Sequence, residues 1–109
     1  MKIDFTALKE KTIQQMNGGN GKCRGRMFMD EKGKIIYCIL PQGSSIGSHV
    51  QKSSNDVNYV ISGQGKAICD GIEETLAPGD CHYCPKGSTH SIINMGEEDL
   101  VLFSVVTEL

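Results

Sequence analysis

No apolar run in the sequence approaches the ~18 residues of a membrane-spanning helix, and no signal peptide opens it. Those two absences lead us to expect a cytoplasmic protein with no membrane partner. A basic stripe is missing as well. Eleven lysines and arginines are scattered among thirteen acidic residues, for a formal net charge of −2. Nucleic-acid binding calls for a concentrated positive field, so we expect no such partner. Beyond residue 20 no window carries a strong helical period. The five cysteines, Cys23, Cys38, Cys69, Cys81 and Cys84, are odd in number. Without an export signal they are expected to be free thiols.

What is present suits an all-β chain rich in turns. Glycine occurs 13 times, and the 39% hydrophobic content is broken into short runs. A chain of 109 residues makes one domain and can bury a core without staples. Residues 1–21 read as an arm, with Thr6 as N-cap of a short helix from Ala7 to about Gln15. The segment Asn17-Gly18-Gly19-Asn20-Gly21 then breaks it. Gly21-Lys22 does not make a phosphate loop, because Met16 and Cys23 stand where that pattern needs glycine and a hydroxyl. Residues 22–109 read as about nine short strands joined by turns. Asp70-Gly71, between Lys66–Cys69 and Ile72–Leu76, is the strongest hairpin signal.

Two glycine-bounded stretches carry the chemistry. From Gly43 to Gly63, His49 and Gln51 are two apart and point to one side of a strand. Asp56 follows after the polar Lys52-Ser53-Ser54-Asn55. From Gly79 to Asn94, Pro85-Lys86-Gly87 reads as a turn, and His90 opens the strand after it. These stretches resemble the paired motifs of the cupin superfamily over roughly residues 22–106. The first family pattern is G-x5-H-x-H-x(3,4)-E-x6-G. Gly43, His49 and Gly63 match it, Gln51 replaces the second His, and Asp56 replaces the Glu. The second, G-x5-P-x-G-x2-H-x3-N, is matched in full by Gly79, Pro85, Gly87, His90 and Asn94.

The resemblance implies a double-stranded β-helix, or jelly roll, forming a cupin barrel behind a short helical or extended arm. It also implies a homodimer, for which Ile13, Met16 and the run Lys34–Leu40 are candidate interface residues. His49, Gln51, Asp56 and His90 would converge inside the barrel on one divalent transition metal. Two imidazole nitrogens with two oxygens favour Mn, Fe, Co or Ni over a thiolate-loving ion, and the resemblance adds Zn to the candidates. Asn58, Val60, His82 and Ile92 are the expected pocket-lining residues. The corresponding function is binding or transformation of a small polar organic molecule, dioxygenase-like or isomerase-like, with the metal as Lewis acid. A metal-free binding module or a non-catalytic scaffold is the alternative. Cys81-His82-Tyr83-Cys84 resembles a redox or zinc pair. On a strand, however, residues three apart face opposite sides, so we read these cysteines as buried structural thiols.

Overall fold

The computed structural model describes residues 1–108. Its strands are β1 (Lys11–Gln14), β2 (Lys22–Asp30), β3 (Gly33–Leu40), β4 (Ser45–Val50) and β5 (Ser54–Ser62). These are followed by β6 (Gly65–Cys69), β7 (Ile72–Leu76), β8 (Cys81–Cys84), β9 (Thr89–Asn94) and β10 (Leu100–Glu108). One sheet has six strands in the order β1-β2-β3-β10-β5-β8, and the other has four in the order β4-β9-β6-β7. Every pairing is antiparallel. This is the expected jelly roll. The β6–β7 hairpin turns at Asp70 and Gly71, with φ of 49° and 81°, as a type I′ turn requires.

The arm departs from expectation: it contains no α-helix. A 3₁₀ turn at Phe5–Ala7 is capped by Asp4, whose Oδ1 accepts from the Thr6 amide at 3.0 Å, so Thr6 is not the cap. Lys11–Gln14 then pairs with Lys22–Gly25 as an added edge strand. An isolated helix of nine residues is marginal in water. The open edge of β2 instead satisfies the backbone groups of a segment containing β-branched Thr12 and Ile13.

A second 3₁₀ turn, Met16–Gly18, lies against β4. Glycine is needed on both sides of this contact. A Cβ on Gly19 would collide with the Ser45 carbonyl, and one on Gly47 with the Asn17 carbonyl. The turn is thereby locked onto the strand that carries His49.

Leu40, Val60, Leu100 and Leu102 are fully buried, and Ala67, Leu76, Ile92, Cys23 and Cys38 complete the core cluster. Each such leucine contributes about 1.5–3 kcal/mol of burial. Asn94 holds the adjoining loop: its Nδ2 donates to the carbonyls of Leu40 and Glu98, both at 2.8 Å, and its Oδ1 accepts from the Gly96 amide.

Candidate metal centre

The two sheets leave a cavity of about 460 Å³ at one end, lined from both sides. A register shift aims His49 into it. Ser45 and Ile46 pair with Ile93 and Ile92, whereas His49 and Val50 pair with His90 and Thr89. The first two pairs have one spacing and the second two another, so β4 holds one extra residue between Ile46 and His49. A bulge of this kind exchanges the two faces of a strand. Ile46 therefore packs on the core and His49, three positions on, also points inward, directly opposite His90.

Four donor groups meet there. Imidazole or carboxylate atoms of His49, Asp56 and His90 all lie within 4.8 Å of one another. His90 Nε2 is 3.2 Å from His49 Nε2 and 3.2 Å from Asp56 Oδ2. His49 Nε2 is 3.0 Å from Gln51 Oε1, and Gln51 Nε2 donates to Ser54 Oγ at 3.3 Å. Asp56 reaches the cluster despite its short side chain because β5 begins at Ser54 and runs along the cavity wall.

The hydrogen bonding leaves this cluster rich in acceptors. The Gly47 carbonyl, 2.8 Å from His49 Nδ1, can only accept, so Nδ1 carries the proton and a neutral His49 presents a lone pair at Nε2. Asn17 Nδ2 flanks the same nitrogen at 3.2 Å. That lone pair faces the Gln51 carbonyl oxygen, with the Asp56 carboxylate across the site. Acceptors turned toward one another need a proton or a cation between them. A first-row ion with bonds of about 2.0–2.2 Å holds neighbouring ligands roughly 3–3.5 Å apart. The cluster's separations of 3.0–3.2 Å match that spacing, so the residues fit the group.

His82 is placed differently from expectation. It is 3% exposed and stacks on His90 at a centroid separation of 5.2 Å. It stands behind that ring and not on the cavity wall. Its Nε2 lies 3.0 Å from His90 Nδ1. Burial, with the His90 charge second, lowers the affinity of His82 for a proton below that of an ordinary imidazole. A neutral His82 accepting from His90 Nδ1–H leaves His90 Nε2 free to face the cluster.

Val60 is likewise off the wall: it is fully buried in the core cluster. Asn58 and Ile92 do line the cavity. The Asn58 amide is 3% exposed, and its Oδ1 accepts from Ser104 Oγ at 2.5 Å while Nδ2 has no partner. Turning the amide over would exchange the two atoms and still leave one unpaired, because the hydroxyl both donates and accepts. Cys84 is buried and Cys81 exposed on opposite faces of β8, so only Cys84 fits the buried reading. Burial, with Cys69 close by, pushes the Cys84 thiol up to about 12.

Several contributors escape a motif reading. Ser54 is the partner of Gln51, and Asn17 lies beside the His49 ring. Lys9, Lys11 and Lys34 line the cavity with Met16, Ile36 and Ile46. Gly47 is the one sequence signal for the bulge, since an isolated glycine inside a strand often marks one. The lysines carry no such signal, because their convergence requires β1 to pair with β2.

Comparison with known proteins agrees with this architecture. The profile of the Cupin domain family matches residues 36–106. An oxalate-binding protein of Thermotoga maritima is 27% identical over 112 aligned residues, covering 97% of this chain and 93% of the relative. A solved structure from Thermotoga maritima, described as a predicted oxalate decarboxylase, is 26% identical and superposes with a TM-score of 0.93 over 100% of both chains. The cupin domain of Schizosaccharomyces pombe Cnp3 shares the fold at 14% identity, with a TM-score of 0.82 over 99% of this chain and 74% of that one.

Proposed function

The chain belongs to the cupin family, and on that basis we propose that His49, Gln51, Asp56 and His90 hold one divalent transition metal that binds a small carboxylate of the oxalate class. The observation that carries the reading is convergence: ligand atoms of two imidazoles and a carboxylate lie within 4.8 Å of one another, with the Gln51 amide beside them. The bound metal would supply Lewis acidity toward a ligand oxygen.

The chain's own residues do the rest. Lys9, Lys11 and Lys34 line the cavity and draw an anion toward it. The Asn58 amide lies on the same wall, and rotation of its side chain would turn the buried, unpaired Nδ2–H toward a carboxylate oxygen. Ile36, Ile46 and Ile92 supply apolar wall, which lowers the local dielectric and strengthens both contacts. Among the described residues of the cavity wall, the only imidazoles and carboxylate are those of the donor cluster. With these side chains engaged as ligands, we read the site as one that binds its carboxylate through the metal. The oxalate-binding protein of Thermotoga maritima supports the same class of ligand.

The test is metal analysis followed by ligand titration. After incubation with Mn, Fe, Co, Ni or Zn salts and removal of excess, about one metal ion per chain should remain. Oxalate should then raise the melting temperature of the loaded protein and leave the chelator-treated protein unchanged. If no ion is retained stoichiometrically, the metal reading is wrong. A shift of equal size with chelator present would replace it with metal-free binding.

A further inference from the structure

Two thiols in the cavity wall lie outside the donor cluster. Cys23 on β2 and Cys38 on β3 are 7% and 5% exposed, and their Sγ atoms are 3.1 Å apart. The register puts Gly25 opposite Cys38 and Arg24 opposite Ile39. The cysteines are thus diagonal neighbours whose side chains share one face of the sheet. Both line the cavity of about 460 Å³. A small molecule entering the barrel reaches them, although bulk solvent scarcely does. The other cysteines lack this combination. Cys81 is exposed, and Cys84 is turned toward the carbonyls of Pro85 and Ser88. Neither lines the cavity, nor does Cys69.

We propose that Cys23 and Cys38 are a reversible dithiol–disulfide pair, oxidised by a low-molecular-weight disulfide that enters through the cavity. The Cys23 thiolate attacks one sulfur of that disulfide, forming a mixed disulfide and expelling one thiolate. Cys38 then loses its proton and attacks Cys23 Sγ, forming the protein disulfide and expelling the second thiolate. Two protein thiols are oxidised, one small disulfide is reduced to two thiols, and the two protons released pass to the departing thiolates. Either sulfur can donate to the other across this contact, and the thiol that accepts is the one whose thiolate is stabilised for attack; Cys23 is written first here and the exchanged roles give the same product. Bond formation closes 3.1 Å to about 2.05 Å. The inference needs the cavity and the two thiols and does not depend on metal binding.

Tryptic mapping identifies the product. Cleavage at Lys and Arg releases Cys23 on peptide 23–24 and Cys38 on peptide 35–52, while Cys69, Cys81 and Cys84 stay together on 67–86. The folded wild-type protein is treated with oxidised glutathione, and remaining thiols are blocked by alkylation. We expect loss of two hydrogens from the chain and a link between 23–24 and 35–52, reversed by dithiothreitol. A Cys81→Ala variant, which lacks the exposed thiol, should give the same link. The proposal is overturned if Cys23 and Cys38 remain alkylatable after this treatment. It is equally overturned if either is linked to 67–86, or if their link forms only once the chain is unfolded in urea.

Discussion

The two ends of the barrel interior are built from the same strands and do opposite things. Along β10 the inward positions run Val106, Ser104, Leu102, Leu100. Along β5 they run Asp56, Asn58, Val60, and along β3 they run Ile36, Cys38, Leu40. Each series passes from a position on the cavity wall to a fully buried aliphatic residue. At the leucine end the sheets close on apolar surface, and burial supplies the stability. At the other end the wall carries polar groups whose partners face one another across open space. Stability and the proposed binding are therefore carried by successive positions on shared strands and not by separate domains.

The largest effect that would sharpen this contrast is Leu102→Ala. It should lower the unfolding free energy by about 2–5 kcal/mol in urea denaturation, with metal stoichiometry unchanged in the protein that remains folded. His90→Ala should do the reverse. We expect metal affinity to fall by roughly 100-fold or more by calorimetric titration, with a smaller loss of stability than Leu102→Ala. If Leu102→Ala abolished metal retention, or His90→Ala spared it, the separation would break.

A positioning role for His82 predicts a smaller change. His82→Phe should weaken metal binding about 10-fold, while His82→Gln, which keeps an acceptor for His90 Nδ1–H, should recover most of it. Equal losses in both variants would reduce His82 to packing. The same residue sets a pH dependence. In the folded protein its proton affinity lies below the ordinary imidazole value of 6.5, mainly through burial. The unfolded chain therefore takes up a proton first as pH falls. Its contribution to stability is complete above pH 6.5 and is lost as acidification proceeds below it. Urea midpoints measured between neutral and mildly acidic pH should show that decline in the wild type, and His82→Gln should flatten it.

Gln51→His tests the weakest donor: metal affinity should hold or rise, because imidazole is a better ligand than a neutral amide. A fall would take Gln51 out of the donor set. The smallest effect belongs to the surface, remote from both ends. Lys66 Nζ and Glu73 Oε1 are 3.7 Å apart at an exposed position. Glu73→Ala should change stability by no more than about 0.5 kcal/mol.

How much could be read in advance varies from residue to residue. Asp70-Gly71 declares a hairpin because few dipeptides tolerate two positive φ angles in succession. His49, Gln51 and His90 were legible as candidates from spacing between glycines. Cys81 and Cys84 were correctly placed on opposite faces, because alternation along a strand is a local rule. The arm was not legible. Ala7–Gln15 carries weak apolar periodicity, and the free edge of β2 outweighs it in pairing with Lys11–Gln14. The family resemblance put His82 and Val60 among the pocket-lining residues. Parity tells which side of a sheet a residue takes, but not how far along the barrel the apolar core gives way to the cavity.

By itself the chain determined its strand content, its turns and the short list of side chains able to act as ligands. These follow from backbone geometry and local alternation, which neighbouring residues decide. Tertiary structure alone decided that one extra residue in β4 brings His49 opposite His90, that His82 backs His90, and that Cys23 meets Cys38. Each depends on pairing between strands distant in sequence. A shift of one residue in such a pairing moves every following side chain to the other face.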